Sequence, residues 1–164
     1  YITGTKTPTG FVVQDTATIR IRPGWGFSLD YTPGQYIGIG VLIEGRWTWR
    51  SYSLTSTPHT SASEKTIAIT VKAIPDGVVS GHIVRALRPG TLVALDQATG
   101  DFVLPDPLPP RILFLTAGSG ITPVAGMLRT LREEGRLGEV DVVVHHAAPR
   151  ADEMIFAGLL RELA

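Results

Sequence analysis

The residue pattern best suited to chemistry is Arg50-Ser51-Tyr52-Ser53, which follows the apolar run Trp47-Thr48-Trp49. Residues two apart on a β-strand project from the same face, so Arg50 and Tyr52 are expected to stand side by side. A guanidinium can bind two phosphate oxygens at once, and a tyrosine ring can stack on a flat heteroaromatic group. A flavin nucleotide contains both groups. Taken alone, these residues favour an ordinary half-buried strand, with Arg50 on the surface and Tyr52 in the core, and only the motifs that follow in the chain reverse this interpretation.

A second candidate anion site is Gly77-Val78-Val79-Ser80, which leads into a short helix predicted over residues 80–87. Within that range Ile83, Val84 and Leu87 have helical spacing. Free backbone N–H groups at a helix N-terminus point outward, and the helix dipole favours negative charge there. Considered by itself, the segment is more typical of a plain helix cap in which Ser80 supplies the capping hydroxyl.

The strongest pattern is the glycine loop Ala117-Gly118-Ser119-Gly120-Ile121-Thr122-Pro123, which follows the continuously apolar run 111–116. Its glycines permit a tight turn and a close approach of backbone to phosphate. Thr122 is predicted to cap the next helix and Pro123 to occupy its first position. Between a buried strand and a helix, the loop favours a dinucleotide site over a generic turn. ATP hydrolysis is not expected, because no Gly-Lys-Ser/Thr follows; Pro123 also replaces the third glycine of the usual fingerprint.

Apart from the short helix over 80–87, the first two-thirds of the chain is predicted to form β-strands separated by Gly- and Pro-containing turns. Residues 11–22 alternate, with Ala17, Ile19 and Ile21 on one face. Gly38 and Gly40 lie inside a predicted strand and indicate a bulge or a close neighbour. Strand spacing favours an antiparallel barrel or sandwich. Further strands are predicted over 35–43, 47–54, 66–72 and 91–95, and the polar segment 56–65 is predicted to be a mobile loop.

A stiff connector is predicted at residues 105–110, where four of six residues are proline. It divides the chain into a β domain, residues 1–107, and an α/β domain, residues 108–164. The second part shows a β-α-β-α order, typical of the start of a doubly wound parallel sheet. Its two strands, 111–116 and 140–146, have the pattern of strands covered on both faces, and helices are predicted after the glycine loop and over 152–163.

Composition excludes several classes of function. Fifteen basic residues balance fifteen acidic ones, so no basic surplus points to nucleic acid or an anionic membrane. No apolar run approaches membrane-spanning length, and the predicted location is cytoplasmic. The absence of cysteine excludes a cysteine-bound iron–sulfur cluster in this stretch, and the four histidines lack metal-site spacing. The chain does not begin with Met and is expected to be a fragment.

The three motifs, in this order, resemble the ferredoxin–NADP reductase superfamily, and the likeness covers nearly the whole chain. Pro33-Gly34-Gln35-Tyr36 and Thr99-Gly100-Asp101-Phe102 add to the resemblance. Within the superfamily the chain is most similar to reductases that feed an iron–sulfur partner. The resemblance implies an antiparallel Greek-key flavin barrel followed by the first half of a doubly wound nucleotide-binding domain. It also implies hydride transfer from NAD(P)H to FAD and then single electrons to a metal protein in another chain or in a missing C-terminal domain.

The resemblance also implies roles for individual residues on the flavin side. Tyr52 is expected to stack on the isoalloxazine and Ser53 to lie near its reactive nitrogen, so both count as catalytic. The remaining flavin contacts are made by residues that bind phosphate or line the ring through the main chain: Arg50, Ser51, Val71, Lys72, Ile74, Gly77, Val79 and Ser80. FAD is preferred to FMN because most of the superfamily uses FAD.

On the nucleotide side, the residues implied to lie along NADP or NAD are those of the glycine loop and its preceding strand: Thr116, Gly118, Ser119, Gly120 and Thr122. In an NAD site, a carboxylate ends the second strand and binds the ribose 2′-hydroxyl. Here that strand ends at His145-His146-Ala147-Ala148-Pro149-Arg150, and Asp152 comes only after the loop. Arg150 is therefore predicted to bind the 2′-phosphate of NADP. The alternative, of nearly equal weight, is that Arg150 is a solvated charge on the loop.

Two other classes of function stay open on the sequence. One is a flavin-binding electron-transfer or regulatory subunit without NAD(P)H activity of its own. The other is a β-barrel binding module without any cofactor. A visible spectrum distinguishes the reductase from these two alternatives. A flavin absorbs visible light, so a module without a cofactor is colourless, and NAD(P)H bleaches the flavin only in a reductase.

Overall fold

The computed structural model describes residues 2–6 and 15–164. Its β region comprises five strands and two helices before a short sixth strand: β1 Ile2–Lys6, β2 Thr16–Ile21, β3 Tyr36–Ile43, β4 Arg46–Ser53, α1 Pro58–Glu64, β5 Ile67–Lys72, α2 Val78–Arg85 and β6 Ala94–Leu95. The α/β region contains β7 Arg111–Ala117, α3 Ile121–Glu133, β8 Asp141–Ala147 and α4 Ala157–Leu163, with 3₁₀ turns at Gly118–Gly120, Leu137–Glu139 and Ala151–Glu153. The predicted strand residues 11–14 lie outside the described part.

Two antiparallel sheets build the β region and confirm the predicted barrel architecture. Their strand orders are β1-β2-β5 and β4-β3-β6, and a bridge between Leu54 and Ile69 joins them. Ile19 and Ile21 are fully buried, as their alternation predicts. Gly38 and Gly40 mark close neighbours: a Cβ would lie 2.5 Å from an Asp96 carboxylate oxygen at Gly38 and 2.7 Å from the Trp49 ring at Gly40.

Strand β5 is buried on both faces, which its alternating sequence does not predict. Ile69 faces the core, and Thr70 on the opposite face is also buried. The Thr70 hydroxyl hydrogen-bonds the hydroxyls of Thr18 and Thr55, at 2.9 and 3.3 Å. Hydroxyl pairs of this kind let a threonine be buried, because they satisfy its polar atom.

The prediction of a mobile loop over residues 56–65 is wrong for the central part of that segment, where α1 forms. Thr57 caps the helix by accepting a hydrogen bond from the Thr60 N–H at 3.1 Å, and Pro58 begins it. Lys65 ends it in the left-handed conformation, with φ 54°. The polar composition concealed a standard start signal, since Thr followed by Pro suits the N-cap and first helical positions. Ser61 then buries its hydroxyl 2.9 Å from the Tyr31 hydroxyl.

The α/β region has the predicted element order, with β7 and β8 paired in parallel. Helix α3 buries Val124, Met127, Leu128 and Leu131 on one side, as predicted. The prediction of a helix over 152–163 is wrong for the first half of that range. The 3₁₀ turn Ala151–Glu153 comes first, and α4 begins only at Ala157 because Phe156 has a left-handed φ of 60°.

The prediction that β7 and β8 are covered on both faces is wrong for the described residues. Phe114 is buried, whereas Leu113, Leu115 and Val143 are 58%, 72% and 44% exposed. Phe114 belongs to the apolar cluster that contains α3 residues and Ile155, Phe156 and Leu159, so the cover lies on one side of the sheet. A continuously apolar strand pattern predicts cover on both faces, and here only one face has it.

Helix α3 packs directly against the segment that follows β4. A Cβ at Gly126 would lie 2.7 Å from the carbonyl oxygen of Leu54, so this contact requires the glycine. Residues 105–110 form neither helix nor strand, as a proline-rich connector should. In the described part of the chain, no helix is long and apolar enough to cross a membrane.

Candidate functional site

Strand β4 places Arg50 and Tyr52 on one face, as the sequence predicts. It lies at the edge of its sheet in the described part of the chain, and its register sets Arg50 opposite Ile39 and Tyr52 opposite Ile37. Arg50 is exposed and donates from Nη1 to the carbonyl oxygen of Trp49 at 2.7 Å. Within the described ranges it forms no ion pair with a carboxylate.

Tyr52 is half-buried beside that guanidinium. Burial raises the pKa of its hydroxyl, and the positive charge of Arg50 partly offsets the increase. The two side chains therefore interact electrostatically and present a cation next to an aromatic ring. Ser51 and Ser53 alternate to the opposite face of the strand, where Ser53 stands opposite Tyr36. The predicted catalytic pair Tyr52 and Ser53 thus occupies two faces at the strand end.

The second predicted anion segment follows β5 and enters α2. The helix begins at Val78 with Gly77 at its N-cap, so the alternative that Ser80 caps it is wrong. The Ser80 hydroxyl instead accepts from the Ile74 N–H at 3.3 Å and donates to the Gly77 carbonyl oxygen at 3.4 Å. A Cβ at Gly77 would lie 2.5 Å from both Ile74 Cγ1 and Ser80 Oγ, which explains the glycine.

The side chains of this segment divide into buried and exposed sets. Val71, Val79 and Ser80 are buried. Ile74 and Val78, by contrast, are large apolar side chains left exposed at the surface, at 59% and 66%. First-turn N–H groups of α2 lie next to this exposed apolar surface. A ligand with a negative charge and an apolar ring would satisfy both features.

The glycine loop folds as a 3₁₀ turn that leads straight into α3. Gly118 has a φ of +52°, and a Cβ at Gly118 or Gly120 would meet no atom within 4 Å. The predicted capping role of Thr122 is wrong: the N-cap is Gly120, and Thr122 is the second helical residue, whose hydroxyl donates to the Ser119 carbonyl oxygen at 2.9 Å. The 3₁₀ turn starts the helix earlier than the cap signal indicates, and Pro123 becomes its third residue.

Thr116 and His146 meet across the parallel strands β7 and β8. The Thr116 hydroxyl lies 2.8 Å from Nδ1 of His146, and the two residues are in register. Burial lowers the pKa of His146, and a hydrogen bond to the backbone of Thr116 opposes this only in part. Nε2 of His146 is buried without a partner among the described residues. The described part contains no group of three His, Cys, Asp or Glu residues that could hold a metal.

Arg150 follows β8 and is exposed, as predicted, but it carries a partner. Its Nε and Nη2 donate to the two carboxylate oxygens of Asp152, at 3.0 and 3.1 Å. The pair raises the pKa of Arg150 and lowers that of Asp152, chiefly through these hydrogen bonds. The sequence placed Asp152 beyond the loop and outside the site, whereas the 3₁₀ turn brings its carboxylate back to the guanidinium.

Glu153 is a residue of the site that the sequence patterns did not reveal. Glu153 accepts a hydrogen bond from Nζ of Lys72 at 2.8 Å, with both side chains largely buried. This ion pair joins the end of β5 to the turn that follows β8. The two residues are 81 positions apart, so no local pattern could have revealed the contact.

Comparison with known proteins agrees with this architecture. Residues 9–104 match the family model described as the oxidoreductase FAD-binding domain. The chain is 58% identical over 151 residues to an NADPH oxidoreductase of Mycobacterium tuberculosis, covering 92% of this chain and 39% of that protein. It is 32% identical over 151 residues to the glycine betaine monooxygenase reductase subunit of Chromohalobacter salexigens, covering 88% and 39%.

A solved structure shows the same fold. The ferredoxin–NADP⁺ reductase of Neisseria gonorrhoeae, with bound FAD and NADP, superposes with a TM-score of 0.77 at 25% identity, covering 98% of this chain and 61% of that one. The family model matches more than half of the chain, and the chain therefore belongs to the oxidoreductase FAD-binding domain family. The resemblance to the ferredoxin–NADP reductase superfamily is confirmed. The chain spans 39% of the length of both curated relatives.

Proposed function

We propose that this chain is the flavin-binding part of a reductase that takes electrons from NADPH and passes them to an iron–sulfur or other metal protein. The observation that carries the proposal is the ion pair between Lys72 and Glu153, 2.8 Å long. It links the strand end on the flavin side to the turn on the nucleotide side. Hydride transfer needs the two ligand sites to adjoin, since the reacting rings must touch.

The residues of the barrel fit FAD. Arg50 has no carboxylate partner among the described residues, and a phosphate is the natural partner of an unpaired guanidinium. The half-buried ring of Tyr52 stands beside it. The exposed apolar side chains Ile74 and Val78 flank the N-terminus of α2. When bound, FAD supplies hydride acceptance and one-electron donation.

In this proposal, the chain's own residues bind and orient. Arg50 holds phosphate, with Ser51 beside it, and Tyr52 orients the flavin ring while Ser53 stands at its edge. Residues at the end of β5 and in the segment after it support the ring and the phosphate through backbone groups: Val71, Lys72, Ile74, Gly77, Val79 and Ser80. Burial raises the pKa of Tyr52 above its ordinary value of 10.0, so the ring is a neutral platform at neutral pH.

The nucleotide half is proposed to receive the dinucleotide along Thr116, Gly118, Ser119, Gly120 and Thr122. The open space at Gly118 and Gly120 supports this role, because backbone there is accessible to a phosphate. Arg150 is proposed to contact the 2′-phosphate, which makes NADPH the preferred donor over NADH. With these roles, the proposal divides the chain into a flavin-binding domain, residues 1–107, and a nucleotide-binding domain, residues 108–164.

The electron acceptor is proposed to be a separate protein or a further domain. Support comes from the similarity to a reductase subunit of a monooxygenase, at 32% identity. NADPH as donor is supported by the relative named an NADPH oxidoreductase, at 58% identity. A cytoplasmic location is part of the proposal, because nicotinamide dinucleotides are its source of electrons.

The visible spectrum of the purified protein tests the proposal. We expect flavin absorbance that NADPH bleaches under anaerobic conditions. Arg50→Ala should lose flavin, whereas the matched variant Arg46→Ala, an exposed arginine of the same strand, should retain it. A flavin that only a protein partner reduces would indicate an electron-transfer subunit instead. A colourless protein that takes up no added flavin would overturn the proposal.

A further inference from the structure

A polar cavity lies where the barrel meets α3. Its volume is about 330 Å³, and its lining comes from β2, the segment after β4, α1, the start of β5, α3 and Phe156. Ligand pockets for small molecules typically begin near this size. None of its lining residues belongs to the flavin or nucleotide contacts assigned above.

The cavity contains three arginines, of which two have carboxylate partners. Arg20 pairs with Glu64 of α1 at 2.5 Å, and Arg132 lies 3.5 Å from Glu162 of α4. The third, Arg129, has no carboxylate within 4.0 Å among the described residues. It is the one lining arginine whose charge is not compensated by a direct contact.

The carboxylate that helical spacing would pair with Arg129 is already engaged. Glu133 lies four residues further along α3, the usual distance for an ion pair on a helix. Its two carboxylate oxygens instead accept hydrogen bonds from the hydroxyls of Thr57 and Thr60, at 2.5 and 2.9 Å. This arrangement leaves Arg129 without a direct ion pair to Glu133, although the two charges still attract each other.

Arg129 is held in place by neutral groups. Its Nη1 donates to the carbonyl oxygen of Thr55 at 2.6 Å, and its guanidinium lies 4.8 Å from the centre of the Phe156 ring. The hydrogen bond uses one of five N–H donors of the guanidinium. Burial lowers the pKa of Arg129, the nearby charges of Arg132 and Arg20 lower it further, and those of Glu133 and Glu162 oppose the shift. A guanidinium held by a neutral carbonyl and an aromatic ring, with further N–H donors and no carboxylate in direct contact, can bind an anion.

We propose that this cavity binds a small organic anion, whose phosphate or carboxylate group contacts the guanidinium of Arg129. Apolar lining from Ile67, Ala68 and Phe156 leaves room for the organic part of the ligand. The bound anion contacts both the barrel and α3, so its binding holds these two regions together. This proposal does not depend on flavin or NADPH binding.

The test is an NMR titration of the purified, flavin-loaded protein with inorganic phosphate and, separately, with citrate at constant ionic strength. We expect saturable backbone shifts at residues 55–60 and 129–133, with either probe or both. Shifts from phosphate alone identify a phosphate group as the ligand, and shifts from citrate alone a carboxylate. Loading with flavin keeps the phosphate probe out of the candidate flavin site, so the two sites are distinguished.

Three variants complete the experiment. Arg129→Gln should weaken the anion about tenfold or more, because it removes a charge-assisted contact. Arg132→Gln should weaken it less and serves if the first variant does not fold. Arg111→Gln, a surface arginine paired with Asp141 on β8, is the matched control and should bind as wild type. Absence of saturable shifts, shifts located elsewhere, or equal affinity in wild type and both cavity variants would overturn the proposal.

Discussion

The carboxylate of Asp152 holds the guanidinium of Arg150 through two hydrogen bonds, at 3.0 and 3.1 Å. A phosphate that binds Arg150 must therefore compete with Asp152 for the same donors. We expect Asp152→Asn to lower the KM for NADPH severalfold and to leave the KM for NADH nearly unchanged. Arg150→Ala should remove the preference for NADPH. Steady-state kinetics with both nucleotides checks this, and an unchanged preference in both variants would exclude Arg150 from the 2′-phosphate site.

Arg50 is expected to contribute a charge-assisted phosphate contact worth roughly 1.5–3 kcal/mol of flavin affinity. Arg50→Ala should accordingly raise the Kd for flavin by about 10- to 150-fold. Arg50→Lys should rescue only part of the loss, because lysine lacks the planar fork of donors. Fluorescence titration of the apoprotein measures the three affinities, and Arg46→Ala is the control on the same strand. Equal flavin affinity in Arg50→Ala and wild type would contradict the assignment.

The ion pair between Lys72 and Glu153 is expected to position the two halves of the site. Lys72→Met or Glu153→Gln should slow reduction of bound flavin by NADPH, because the nucleotide turn is then no longer tied to β5. Stopped-flow absorbance measures that rate, and flavin Kd serves as the internal control. The double variant should lose little more than either single variant, since both remove one interaction. Fully additive losses would show that the two residues act separately.

Gly126 is expected to be essential for packing between α3 and the barrel. Gly126→Ala would place a methyl group 2.7 Å from the Leu54 carbonyl oxygen, a backbone atom that cannot move alone. Overpacking of this kind typically costs about 1–3 kcal/mol of unfolding free energy. Thermal unfolding should show a clearly lower Tm, whereas Gly138→Ala, which meets no atom within 4 Å, should not. A Tm unchanged by Gly126→Ala would mean that α3 does not pack in this way.

His146 is expected to make the folded protein less stable at mildly acidic pH. Its pKa is lowered in the folded protein, so the unfolded chain binds the proton more readily below the ordinary value of 6.5. Stability is therefore retained above that pH and lost as pH falls through it towards the folded pKa. Urea unfolding at pH 7 and pH 5 should show a smaller loss for His146→Gln than for wild type. Identical losses would indicate that His146 titrates as it does in the unfolded chain.

Local patterns predicted much of the architecture. The alternation around Ile19 and Ile21 predicted a buried strand, and the spacing of Val124, Met127, Leu128 and Leu131 predicted the buried side of α3. Such patterns succeed because the period of side chains along a strand or helix decides which face enters the core. The same period predicted that Arg50 and Tyr52 share a face, which the register with Ile39 and Ile37 confirms.

Helix boundaries were less well predicted, because competing local signals lie within a few residues of each other. Thr122 and Pro123 indicated a cap, but the 3₁₀ turn at Gly118–Gly120 starts the helix earlier. Thr57 and Pro58 carried a cap signal that polar neighbours concealed. At Phe156, a left-handed φ separates residues that the apolar spacing had joined into one helix.

Local residue patterns predicted the antiparallel strands, the β-α-β-α order after the connector, the shared face of Arg50 and Tyr52, and the glycine loop, but they did not predict α1. The pairing of charges became visible only in the folded chain: Lys72 pairs with Glu153, Arg150 pairs with Asp152, and Arg129 has no carboxylate in direct contact among the described residues. This difference arises because periodicity and backbone conformation are properties of neighbouring residues. Ion pairs and cavities depend on how distant segments pack, or on turns that reverse a side chain's direction, and no local pattern records either.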